Sequence, residues 1–163
     1  MKKNILLTFG TRAFAQRIAK MLTAEFNVFF ASAEEIPTVL LAAGNYLKIP
    51  AGLLPTYAHE LLKIALDKKI DYILPLGMHE IRTLADASIL FEEYGIQVLS
   101  PHRDTLEDQV FLEEPMREIP TSLVSQGRDL LTGQQLTDAT ISGLVIASDE
   151  GAAYAVAVVA TTK

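Results

Sequence analysis

The chain has 163 residues, half of them hydrophobic, with 14 basic against 20 acidic side chains, a formal charge of −6 and no cysteine. That length holds one sizeable core, the lack of cysteine excludes disulfides and thiolate chemistry, and the scattered basic residues offer no phosphate-binding stripe, which argues against nucleic acid as a partner. No apolar run approaches the ~20 residues of a membrane-spanning helix, and the run after Lys2-Lys3 is too short for a signal peptide, so the expected location is the cytoplasm, away from any membrane.

Asn4-Ile5-Leu6-Leu7-Thr8-Phe9 predicts a buried parallel strand ending at Gly10, and Phe14, Ile18, Met21 and Leu22 then recur at helical spacing. Phe26-Asn27-Val28-Phe29-Phe30-Ala31 predicts a second strand, with Ser32-Ala33-Glu34-Glu35 as the loop at its carboxyl end. Pro37 opens a short helix that Gly44 ends, before a brief strand at Tyr46-Leu47-Lys48-Ile49. Thr56 reads as the N-cap of a helix with the apolar face Tyr57, Leu61, Ile64 and Ala65, ending near Lys68-Lys69. Ile70-Asp71-Tyr72-Ile73-Leu74 predicts a strand stopped by Pro75. The next helix carries Ile81, Leu84, Ala85 and Ile89 on one face and runs to a Gly95 cap, followed by the strand Ile96-Gln97-Val98-Leu99. Strands alternating with helical crossovers call for an α/β fold with an open, doubly wound, mostly parallel sheet of Rossmann-like type.

Asp104 and Glu107 have capping-box spacing for a short helix packed by Leu106, Val110 and Phe111. From Glu113 the pattern changes, and Glu118-Ile119-Pro120-Thr121 reads as a linker. Two apolar stretches, 141–147 and 153–159, form a C-terminal β-hairpin around Asp149-Glu150-Gly151. In its second strand Tyr154, Val156 and Val158 share one face, and Ala153, Ala155 and Ala157 the other. The expected organisation is a Rossmann-like domain over 1–113, a linker or irregular segment over 114–140, and a hairpin over 141–163 packed on the domain or on a partner. The coherent hairpin ending favours a complete chain over a fragment.

In an open α/β sheet, ligands bind outside the carboxyl ends of the strands. Gly10-Thr11-Arg12 is one such loop: amides opening the next helix can receive an anion, and Arg12 can add a bidentate charge. The further glycines of a dinucleotide fingerprint are missing. Glu34 stands where an acidic residue would meet a ribose hydroxyl. Pro75-Leu76-Gly77-Met78-His79-Glu80 is the most informative loop, since it brings His79 and Glu80 to the same crevice as Arg12. His59 and His102 lack metal-ligand spacing, and no serine elbow, Walker loop or metal cluster is legible. The candidate ligand-binding residues are therefore Gly10, Thr11, Arg12, His79 and Glu80, with no catalytic residue, metal or cofactor assigned.

The first strand with Gly10-Thr11-Arg12, the block Ile70-Asp71-Tyr72-Ile73-Leu74-Pro75 leading through Glu80-Ile81, and Tyr94-Gly95-Ile96-Gln97-Val98-Leu99-Ser100-Pro101 resemble the N-terminal, pre-ATP-grasp domain of ATP-grasp ligases. Carbamoyl phosphate synthetase large subunits and biotin carboxylases are examples. The resemblance implies that Glu80 faces an acceptor substrate and that the Gly10 to Arg12 loop borders the same cleft. It ends near Pro101: Asp104 is followed by Thr105 where the family carries an Asp-Lys pair, and the residues beyond Thr121 are too few for an ATP-grasp domain.

Three functions follow as expectations. The first is a stand-alone, non-catalytic or partner-dependent module that binds a small anionic metabolite or docks on a separate ATP-grasp ligase subunit. The second is a Rossmann-like enzyme dependent on NAD(P) or a sugar nucleotide. The third is an oligomeric structural or assembly protein whose hairpin pairs with its copy in a homodimer. One fold hosts many functions, so the fold alone does not choose among them.

Overall fold

Odd and even residues of the first strand face opposite ways, and both faces are apolar. This is why helices cover the sheet on both sides. The structure, a computed structural model, describes residues 2–137, 141–147 and 153–160. Its first half runs β1 Lys3–Leu7, α1 Ala13–Leu22, β2 Phe26–Ser32, α2 Thr38–Ala42, β3 Tyr46–Lys48, α3 Tyr57–Asp67, β4 Tyr72–Leu74, α4 Met78–Glu93 and β5 Gln97–Val98. These strands form one sheet in the order β3-β2-β1-β4-β5, every neighbouring pair parallel, with Ile5 opposite both Val28 and Tyr72. Ile5 and Leu7 pack with Phe14, Ile18 and Leu22 of α1. Leu6 packs with Tyr57 and Leu61 of α3 and with Leu84 and Phe91 of α4. Each large apolar side chain removed from water here contributes about 1.5–3 kcal/mol. No helix among the described residues is long and apolar enough to cross a membrane.

The predicted elements of this half are present with small differences in their ends. Thr56 sits at the N-cap of α3 but makes no side-chain cap, because its backbone is already helical. Gly95 closes α4 as expected, the Gly95 and Ile96 amides returning to the carbonyls of Glu92 and Phe91. Ile89 is 69% exposed, while Phe91 is fully buried. The buried stripe of α4 passes through Leu84 and Phe91, leaving Ile89 on its solvent edge.

The second half differs more. Asp104 and Glu107 do not form a capping box. His102 takes the cap position, its Nδ1 accepting from the Asp104 amide at 3.2 Å, and residues Arg103–Asp108 form a 3-10 helix. The chain then enters β6 Val110–Glu113, followed by β7 Ser122–Ser125, β8 Arg128–Asp129, β9 Gly143–Ala147 and β10 Tyr154–Val158. Residues 114–140, expected to be linker or irregular, thus contribute two strands. The β7–β8 turn uses Gln126 and Gly127, with φ of 49° and 84°, the double left-handed backbone that two-residue hairpins favour.

This mixed sheet has the order β6-β10-β9-β7-β8, with β10 parallel to β6 and the other pairs antiparallel. β9 and β10 pair as the expected hairpin; its Asp149-Glu150-Gly151 turn lies outside the described residues. Both strands have neighbours on each side within the chain. The two faces of β10 divide as the sequence indicates. Ala157, with Val159 beyond it, joins the cluster of Ile5, Leu7 and α1, whereas Tyr154, Val156 and Val158 pack with Ile81, Val124 and Val145. The Val159 amide also donates to the Leu76 carbonyl at 2.8 Å.

Candidate functional site

In the first sheet the strand order reverses about β1, which lies between β2 and β4, and the crevice at their carboxyl ends is where open α/β folds receive ligands. A cavity of about 320 Å³ occupies that place, its lining including Phe9, Glu34, Gly52, Met78, His79 and Glu80. Phe9 has φ +52°, a costly backbone for an aromatic residue. A Cβ at Gly77 would lie 2.3 Å from the Phe9 ring, so the glycine opening α4 is what lets this ring stand in the cavity wall.

Glu80 enters the first turn of α4 yet is only 3% exposed, and its Oε1 has no hydrogen-bond partner among the described residues. Burial pushes its carboxyl up from 4.5 to about 7, with the hydroxyls of Thr8 and Tyr57 and the backbone at Gly77 only partly favouring the charged form. Thr8 is itself buried, and its Oγ1 accepts from the Leu76 amide at 2.7 Å. Tyr57 is fully buried and its hydroxyl also lacks a partner in hydrogen-bond geometry. Burial, and then the neighbouring Glu80, hold that phenol well above its ordinary range.

Arg12 is placed differently. Its Nε lies 3.0 Å and its Nη2 2.7 Å from the two Glu34 oxygens, its Nη1 donates to the Ala160 carbonyl at 3.3 Å, and Glu114 Oε2 is 4.0 Å away. The Ala160 amide donates to that same Glu114 oxygen at 2.9 Å. Hydrogen bonding to Glu34 raises the guanidinium pKa, and the reciprocal contact lowers that of the Glu34 carboxyl. Gly10 is buried against β2, where an added Cβ would meet Phe30 Cβ at 2.5 Å. Close packing therefore explains Gly10, and Thr11 is half-buried outside the cavity lining.

Of the five candidates, the structure brings Glu80 and the exposed His79 to the cavity. It ties Arg12 to Glu34, the two residues that the sequence had offered to different ligands. Phe9, Gly52 and Tyr57 were not singled out for the site, and in sequence Tyr57 reads only as a core residue on a helical stripe. No three His, Asp or Glu gather as metal ligands among the described residues. A wider, more open hollow of about 650 Å³ lies beside Gln97, Ser125 and Arg128.

A parallel sheet with a cavity at its reversal defines a Rossmann-like domain. The chain belongs to the PylC-like, N-terminal domain family, whose profile matches residues 5–99. This is a pre-ATP-grasp-type domain of ATP-grasp ligases, and no ATP-grasp domain is found in the chain. No curated protein matches. Ten chains of known structure match. One, named "SsCR_L211H", is 12% identical with a TM-score of 0.44; the alignment covers 77% of this chain and 44% of that one, so this chain spans less than half of its length.

Proposed function

We propose that this ATP-grasp-related module is a non-catalytic binding domain, which holds a small metabolite in the cavity between Phe9 and Glu80 and works with a separate ATP-grasp ligase subunit that supplies the nucleotide chemistry. One observation carries the reading: Glu80, a residue 3% exposed with an unpartnered carboxyl oxygen, lines a cavity at the sheet's reversal point. A buried acceptor without a partner costs about 1–3 kcal/mol, a cost that a ligand donor in the cavity would offset. The family supports the ligase context. The NAD(P) reading draws less support, because the acidic residue it needs, Glu34, is already held by Arg12.

Thermal melting of the full chain against short amines, carboxylates, phosphate monoesters and ATP tests the proposal. A member of one small-molecule class should raise the midpoint while ATP does not, and Ala33→Phe, which fills the cavity from β2's end, should abolish the rise. A midpoint unmoved across the whole panel would sink the reading.

A further inference from the structure

Residues 50–56 lead from the end of β3 into α3, and none of them carries an ionisable side chain. Ile49 and Tyr57, at the two ends of this loop, are buried, while Ala51, Leu53, Leu54, Pro55 and Thr56 are exposed. Between those anchors the loop meets α4. The Thr83 hydroxyl donates to the Gly52 carbonyl at 3.0 Å, and a Cβ added at Gly52 would lie 2.9 Å from Glu80 Cγ and 3.0 Å from the Glu80 amide nitrogen. Ala51, Gly52 and Leu53 also line the cavity, so one exposed loop is both cavity wall and cover of the Glu80 side chain.

The space under that cover suits a neutral carboxyl group. Tyr57 is the titratable neighbour from α3, and burial, then Glu80, hold its phenol well above the ordinary range, so it stays protonated. Thr8, following β1, and Gly77 contribute a hydroxyl and backbone. His59 on α3 and His79 and Arg82 on α4 are exposed, Glu60 lies 3.8 Å from Lys63, and Glu34, across the cavity, is held by Arg12. Glu80 has no ion pair among the described residues. A carboxylate formed there is a buried charge without a counter-ion, and admitting water relieves it. Thr8, Tyr57 and Gly77 belong to the packed frame of the first sheet, whereas the exposed loop, with little buried apolar surface, is the part of the wall that gives most readily.

We propose that the 50–56 loop is a pH-operated cover, which lies shut on Glu80 while the carboxyl is neutral and lifts, opening the cavity, when the carboxyl ionises. The device belongs to the cavity wall and stands whether or not a ligand enters. With the loop shut the carboxyl titrates at about 7, and once solvated it returns towards 4.5. The open form therefore gains on the shut form as pH rises from about 4.5, and the gain levels off above about 7. Between pH 6 and pH 8 the ratio of open to shut should rise about tenfold.

Thermolysin, which cuts on the amino side of leucine, reads the loop at Leu53 and Leu54 in the full chain. Its rate there, divided at each pH by the rate in Glu80→Gln, should rise about tenfold from pH 6 to pH 8, with no cuts inside β1, α1 or β4. A constant ratio would overturn the proposal, and so would cuts spread through those three elements, which would mean global unfolding in place of a lifted loop. Gly52→Ala supplies the reciprocal test, because its methyl group pushes the loop off α4. Followed by NMR, the Glu80 carboxyl carbon should titrate near pH 7 in the wild-type chain and below about pH 6 in Gly52→Ala. A midpoint that the variant leaves in place would show that the loop does not hold the proton, which also overturns the proposal. Should Glu80→Gln not fold, this titration decides alone.

Discussion

Two strand-to-helix turns at the same end of the same sheet, Gly10-Thr11-Arg12 and Gly77-Met78-His79-Glu80, use their charged side chains in opposite ways. Arg12 is about one-third exposed and is satisfied within the chain, chiefly by Glu34. Glu80 is 3% exposed and keeps an oxygen unsatisfied. Both positions satisfy the topological rule for ligand contact. What separates them is whether folding has already supplied a partner. A charge paired in the folded state holds structure together, whereas a buried acceptor left unpaired is held at a cost.

The contrast breaks most sharply in acid–base behaviour, because the two carboxyl groups shift in opposite directions. Glu80's pKa is raised from 4.5 to about 7 on folding, so between those values the folded state holds a proton that the unfolded state has released. Stability contributed by the protonated form is complete below about pH 4.5 and is lost as pH rises through about 7, a change of up to about 3 kcal/mol. Denaturant melts at pH 5 and pH 8 should show this fall, and Glu80→Gln should flatten it and be the more stable protein at pH 8. A wild-type stability that does not decline over this interval would mean that Glu80 is solvated, and the contrast between the loops would disappear.

The positions of both turns were legible in the sequence, and so was most of what supports them. Apolar strands ending at Gly10 and Pro75, and the stripe of Ile81, Leu84 and Ala85, define the first sheet and put Glu80 at its carboxyl end. The partners were not legible, because they come from tertiary distance. Arg12 and Glu34 are 22 residues apart and each sits on its own loop. Tyr57 carries the same helical stripe whether or not its hydroxyl lies beside a carboxyl group. The second sheet beyond its C-terminal hairpin was missed for a local reason. β8 has only two residues, and the β7–β8 turn is Gln126-Gly127, without the Asn-Gly or Asp-Gly signal that usually marks such a hairpin. Strand β6 was hidden because its pairing partner, β10, lies more than forty residues later.

The Gly77 turn can also be tested by packing alone. Gly77 has φ −114°, which any residue adopts, so a substitution there is opposed only by the Phe9 ring that an added Cβ would strike at 2.3 Å. Gly77→Ala should destabilise by about 1–3 kcal/mol through overcrowding and should alter the cavity by moving Phe9. The double variant Gly77→Ala with Phe9→Ala should recover part of that loss. If the two losses simply add, the glycine is not there to seat the ring.

The smallest effect belongs to the first loop, and its sign is opposite to that of Glu80. Hydrogen bonding and charge from Arg12 lower the Glu34 pKa, so this pair contributes stability at neutral pH that is lost in acid as pH falls through the lowered value. Both side chains are more than one-third exposed or close to it, 34% and 41%, and solvent screening limits the pair to no more than about 1 kcal/mol. Arg12→Ala should therefore cost little at pH 7, lose its effect in strong acid, and weaken further in high salt. Its clearer trace should be at the chain's far end. With Arg12 gone, the Ala160 carbonyl loses a donor and Glu114 its nearby cation, so hydrogen exchange at the Ala160 amide, which donates to Glu114, should quicken while the Gly77 to Glu80 amides stay unchanged. Faster exchange in both loops would make Arg12 part of the cavity after all, and would erase the division of labour between the two turns.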